Sequence, residues 1–148
     1  MLKNNWSISG SGYSLTDFYL TTNWYSDAIV LPQITITHSN SNKTPKEMGP
    51  HPEYYVEDIF NVNIWYRPSS ESNTSYGTVK NAIFQIKSEI ERIVRSGSPI
   101  NDLTPPITSM GLKNFWFSNW TNLTDTGTRP VLFRTQTVIK VQRYSNIT

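Results

Sequence analysis

The chain contains no cysteine. That excludes disulfide scaffolds, thiol nucleophiles and cysteine-based zinc sites. Charged residues are also scarce at 16%, against about 25% in ordinary soluble domains. The net charge of +2 is too small to argue for general nucleic-acid binding. No apolar run approaches the roughly 18 residues of a membrane-spanning helix. The opening MLKNNWSISGSGYS lacks the apolar segment of a signal peptide. Neither a membrane partner nor a secretory route is therefore expected. The phosphate loop GxxxxGK[ST], the GxSxG elbow, HExxH and GxGxxG are all missing, so the sequence predicts neither an enzyme nor a cofactor.

What is present is aromatic and polar. Aromatics reach 13%, with five Trp and eight Tyr, and Ser, Thr and Asn stand where Lys and Glu usually do. Interface cores have this composition, depleted in charge and rich in aromatics. A β-rich domain has it too, because strands favour aromatic residues and Thr. At 148 residues, one domain is the natural expectation. Residues 1–75 hold four basic and seven acidic side chains, and residues 76–148 hold nine and four. Such an offset can help like subunits meet head to tail, and also arises incidentally.

Residues 1–28 read as an aromatic-rich arm, with Trp6, Tyr13, Phe18, Tyr19, Trp24 and Tyr25 among Ser, Asn and Gly. So aromatic an arm packs on its own domain or on a neighbour. Its removal is expected to weaken assembly and leave the rest folded.

Residues 29–148 read as a single α+β domain. A first strand spans Ala28 to Ser39, with Ile34 and Ile36 alternating with Thr35 and Thr37. Pro32 puts its start at an edge or a bend. Asn40 to Tyr55, with three prolines and a glycine, reads as a long loop. A second strand spans about Val56 to Arg67, with Phe60, Val62, Ile64 and Tyr66 on one face.

A long helix follows, from about Ser75 to Ser96. Ser72, Thr74 and Ser75 are its candidate caps, and Val79, Ile83, Ile86, Ile90 and Ile93 form one apolar stripe. A linker carrying Pro99, Pro105 and Pro106 leads to strands at about Thr108–Asn119 and Pro130–Tyr144, joined by the polar loop NWTNLTDTGTRP. The predicted fold is a mostly antiparallel four-stranded sheet in β-β-α-β-β order, with the amphipathic helix packed on one face.

Candidate chemistry is sparse. His38 and His51 flank the long loop, with Glu47, Glu53 and Glu57 as possible oxygen ligands. Their spacing matches no established metal motif, so no metal is predicted. Asp17, Asp27, Asp58 and Asp102 form no paired-carboxylate pattern, although the acids of a glycosidase need only be close in space. Arg129, Arg134, Lys140 and Arg143 beside Trp116 and Trp120 have the residue types of a single-strand binder; a solvated strand face beside a buried aromatic face has them too. Six N-x-[ST] sequons, at Asn5, Asn42, Asn73, Asn119, Asn122 and Asn146, do not establish glycosylation without a signal peptide.

The strand carrying LPQITI, the strand ending VNIWYR, the helix TVKNAIFQIKSEIERIV and the closing run RPVLFRTQTVIKVQRY resemble the tail terminator and neck (head–tail joining) proteins of tailed viruses. The resemblance covers about residues 29–144 and is one of element order and residue character. It implies a subunit of a homo-oligomeric ring, commonly a hexamer. Such a ring caps the tail tube and joins it to the neck or connector, with viral DNA passing through the lumen without specific binding.

Localisation would be the virion tail or neck, after assembly in the host cytoplasm. Trp6, Tyr13, Trp24, Lys46, Tyr54, Trp65, Asn122 and Arg129 are the candidate subunit or partner contacts, through the aromatic arm and the loops. The alternative is a module that binds carbohydrate or single-stranded nucleic acid through exposed aromatic rings.

Overall fold

A computed structural model describes residues 2–8, 12–46, 53–97 and 111–146. In chain order these form helix α1 (Leu2–Asn5), strands β1 (Tyr19–Thr21), β2 (Gln33–Pro45) and β3 (Glu53–Tyr66), and helix α2 (Asn73–Gly97). Strands β4 (Leu112–Phe117), β5 (Thr121–Asn122) and β6 (Phe133–Asn146) complete the list. The strands make one sheet in the order β1-β2-β3-β6-β4, with β5 also paired to β6. The linker prolines Pro99, Pro105 and Pro106, together with His51, Glu47 and Asp102, lie outside the described residues.

The four-stranded antiparallel expectation is corrected here. Among the described residues the sheet has six strands, and it is mixed, because β1 runs parallel to β2 (Tyr19 opposite Gln33). The two extra strands have three and two residues, too short to carry an alternation that a sequence pattern can reveal. The long loop is also corrected. β2 continues to Pro45 and β3 starts at Glu53, so most of Asn40–Tyr55 is an extended hairpin. SNSNKT hides it, since a strand wet on both faces shows no apolar period.

Alternation sets the two faces of the sheet. Ile34, Ile36, Val62, Ile64, Thr135, Thr137 and Ile139 share one face, with Ile34 opposite Ile64, and Ile64 opposite Thr135. Helix α2 covers that face. Val79, Ala82, Ile86, Ile90, Ile93 and Val94 are buried there, as the 4-3-4-3 stripe requires. Ser72 caps the helix, its Oγ accepting from the Ser75 N–H at 3.1 Å.

Leu2 and Phe18 belong to the same core cluster, with Trp6 and Tyr13 packed against it. Trp6 packs at a 45° tilt against Phe18, centroids 4.6 Å apart, and donates its indole N–H to the Tyr13 carbonyl at 2.9 Å. Removing residues 1–27 therefore removes core side chains. A deletion of residues 1–27 is expected to cost core stability as well as any contact the arm makes.

Candidate functional site

The opposite face of the sheet carries no helix among the described residues. Its side chains include Thr35, Thr37, Asn61, Asn63, Trp65, Arg134, Gln136, Lys140 and Trp116. The register sets Trp65 against Arg134, and Lys140 against both Ile59 and Trp116. At one end of this face the chain builds an aromatic stack. Trp65 is buried and donates its indole N–H to the Thr35 hydroxyl at 3.0 Å. Tyr25 stacks on it at 5.0 Å and Trp24 meets it edge-on at 5.2 Å.

The Arg134 guanidinium lies 4.4 Å from the Trp65 ring and 5.1 Å from Trp24, and its Nε donates to Asn63 Oδ1 at 3.0 Å. Burial lowers the Arg134 pKa from its usual value; a guanidinium starts so high that it stays charged. Each cation–ring contact contributes about 0.5–2 kcal/mol.

Gln33 anchors the approach to this stack. Its side chain is buried, accepts from the Ser26 N–H at 3.0 Å and donates to the Ser26 and Ile29 carbonyls at 2.7 and 3.3 Å. The loop so held presents Trp24 at 56% exposure, Val30 at 81% and Leu31 at 45%. These apolar side chains sit in water at the edge of the sheet. Beyond Thr35, β2 has no partner on its outer side among the described residues, from Ile36 to Pro45. β4 ends the sheet on the other side.

A second cluster joins His38, Ser41, Asp58 and Arg143 across β2, β3 and β6. Ser41 Oγ donates to Asp58 Oδ1 at 2.5 Å, and Arg143 Nε donates to Asp58 Oδ2 at 2.7 Å. His38 Nε2 lies 3.0 Å from Ser41 Oγ and 3.8 Å from Asp58 Oδ1.

The residue types are those of a hydrolase triad, but the wiring is not. A triad sets the carboxylate on one ring nitrogen and the serine on the other, with the base taking the serine proton. Here both neighbours lie at Nε2 and the Ser41 proton points at Asp58. The cluster is a polar clasp beside the β2 bulge between His38 and Asn40. Burial alone would raise the Asp58 pKa, but bonds from Arg143 and Ser41 and the nearby His38 outweigh it and hold the carboxyl below its ordinary value. No group of three or more His, Cys, Asp or Glu that could hold a metal occurs among the described residues.

The predicted contact residues fall in four places. Trp6 and Tyr13 sit half-buried against the core, and Trp24 and Trp65 come together in the stack. Lys46 and Tyr54 lie at the far end of the β2–β3 hairpin. There Lys46 pairs with Glu53 at 3.3 Å and stands 4.5 Å over the Tyr144 ring. Lys113, bonded to the Tyr144 phenol, and the Lys46 charge together hold that phenol below the usual tyrosine range. Asn122 lies on β5, and Arg129 on the turn before β6, 3.7 Å from Glu71.

The basic residues of β6 are largely neutralised. Lys140 pairs with Glu57 at 3.5 Å and Arg143 with Asp58. Trp120 donates its indole N–H to Glu91 at 2.8 Å and packs against the core. Sequence reading missed the Tyr25 and Asn63 partners of the stack, and the buried Glu89 described below. Its only signal for Asn63 was a polar residue alternating in phase with Trp65.

No protein-family model matches the sequence, and no curated protein matches it significantly. No helix among the described residues is long and apolar enough to cross a membrane.

Proposed function

We propose that the chain is a structural, non-catalytic subunit of a viral particle, a tail terminator or neck component that assembles into a ring, commonly of six copies. The observation that carries this reading is the outer side of β2 from Ile36 to Pro45, unpaired among the described residues, with Trp24, Val30 and Leu31 exposed near its start. An unpaired strand edge is a template for another chain. A sheet open along Ile36–Pro45 of β2 on one side and ending in β4 on the other, among the described residues, can pass a head-to-tail contact from copy to copy, and such contacts close into rings. The resemblance of the strand and helix runs to tail terminators supplies the ring, the tail-tube and neck partners, and the virion location.

Peptide-level hydrogen exchange tests this reading. Amides of residues 36–45 should be slow to exchange at high protein concentration and fast on dilution, while those of β3 and β6 stay protected throughout. Fast exchange of residues 36–45 at every concentration, alone and with tail tubes, would contradict it.

A second reading has one observation in its favour. Trp24 and Trp116, 56% and 37% exposed, project from the same uncovered face, where rings can stack on sugars or bases. It predicts a monomer whose tryptophan fluorescence shifts on adding a soluble oligosaccharide or a single-stranded oligonucleotide.

A further inference from the structure

Between the middle of α2 and the β5–β6 connection lies a groove of about 480 Å³, within the range of small-ligand sites. Lys80, Ile83 and Lys87 line it from the helix, Phe133, Arg134 and Thr135 from β6, and Asn122, Thr124 and Thr126 from the connection. Among the described residues no carboxylate lines it. Lys80 and Lys87 are seven residues apart, about 10 Å along the helix axis, and so lie on one side of it.

Each lysine is placed over an aromatic ring, Lys80 5.9 Å from Phe133 and Lys87 5.5 Å from Trp120. Neither has an ion-pair partner among the described residues, whereas seven of the other cationic side chains do. Glu91, one turn beyond Lys87, is occupied by the Trp120 indole and by Arg95 at 3.6 Å. The Arg134 guanidinium is committed to the opposite face of the sheet.

The wall facing the lysines adds donors. Asn122 Oδ1 accepts from the Thr124 N–H at 3.0 Å and its hydroxyl at 2.6 Å, and its two Nδ2 hydrogens have no acceptor among the described residues. Two ammonium groups, a free amide nitrogen and a hydroxyl, with no acidic group among them, are the complement of an oxyanion. The span between the lysines suits a ligand with more than one anionic group.

We propose that this groove binds phosphate groups of a ligand carrying at least two of them, held by Lys80 and Lys87 and oriented by Asn122 and Thr126. The ligand is either a free polyphosphate compound or the backbone of a nucleic-acid strand. The proposal does not depend on the ring.

Isothermal titration of the full chain at low salt tests it, with sodium tripolyphosphate and an oligodeoxythymidine of about twelve nucleotides as probes. The double variant Lys80→Gln/Lys87→Gln should bind about tenfold more weakly or worse, with its far-UV spectrum and melting unchanged. Lys80→Arg/Lys87→Arg should retain binding. The control Lys3→Gln/Lys43→Gln, which removes two exposed lysines elsewhere, should stay within about twofold of the parent.

An oligonucleotide that binds much more tightly than tripolyphosphate identifies the ligand as a strand, and the reverse order as a free phosphate compound. The proposal is overturned if neither probe binds at millimolar concentration, or if the control double variant loses as much affinity as the groove variant.

Discussion

At the scale of single residues, burial decides which charges matter. Glu89 is 1% exposed on α2 and fully engaged by hydrogen-bond donors. Two bonds from Arg92, at 2.6 and 3.0 Å, and the Ser7 N–H at 2.6 Å offset its desolvation. Arg92 also donates to the Asn5 carbonyl, so this one carboxylate ties the N-terminal segment to the helix.

Removing either partner should have unequal effects. Arg92→Gln strands a buried carboxylate and should cost more than Glu89→Gln, which leaves Arg92 free to reach water. About 1–3 kcal/mol is expected for Glu89→Gln, and urea unfolding would measure the order. Asp58 behaves as a switch in acid. Its folded pKa lies below its unfolded value, so its contribution is present above the ordinary carboxylate range and is lost as pH falls through the folded value. Asp58→Asn should therefore flatten the fall in stability between about pH 5 and pH 2; an unchanged slope would remove Asp58 from the account. Trp24→Ala should cost about 0.5–2 kcal/mol through its lost contacts with Trp65 and Arg134, little of it from burial since the ring is more than half exposed, and should weaken self-association.

At the scale of elements, legibility followed the apolar period. Helix α2 was visible because five β-branched residues recur at spacings of four and three. The alternating halves of β2, β3 and β6 were visible for the matching reason. The second half of β2 was not. Its Ser, Asn and Lys residues face water on both sides, and the strand is specified by pairing to β3, from Asn40 opposite Ile59 to Pro45 opposite Tyr54. β1 and β5 are likewise set by neighbours and carry no period of their own.

The same limit governed the sites. Trp24 and Trp65 stood out as aromatics, but only the fold sets Arg134 beside both rings, and only the fold turns Lys80 and Lys87 toward Asn122. The N-terminal segment looked like an appendage because its aromatics are irregularly spaced, yet Phe18 is 5% exposed in the core cluster. Phe18→Ala should cost about 3–5 kcal/mol, read from denaturant melts. A cost below about 1 kcal/mol would return the segment to the role of a loose arm.

At the scale of the whole molecule, one face of the sheet lies under helix α2 and the other carries no helix among the described residues. Two outer strands and a group of exposed apolar side chains lie at its margins. A single chain leaves those features in water; a closed ring covers them with copies of itself.

Assembly of the chain into a ring is tested most directly by its mass and shape in solution. Light scattering on the full-length protein, with negative-stain images of the same sample, should show closed rings of about six copies, alone or after addition of tail tubes. A monomer at every concentration that leaves tube ends bare would contradict the assembly reading.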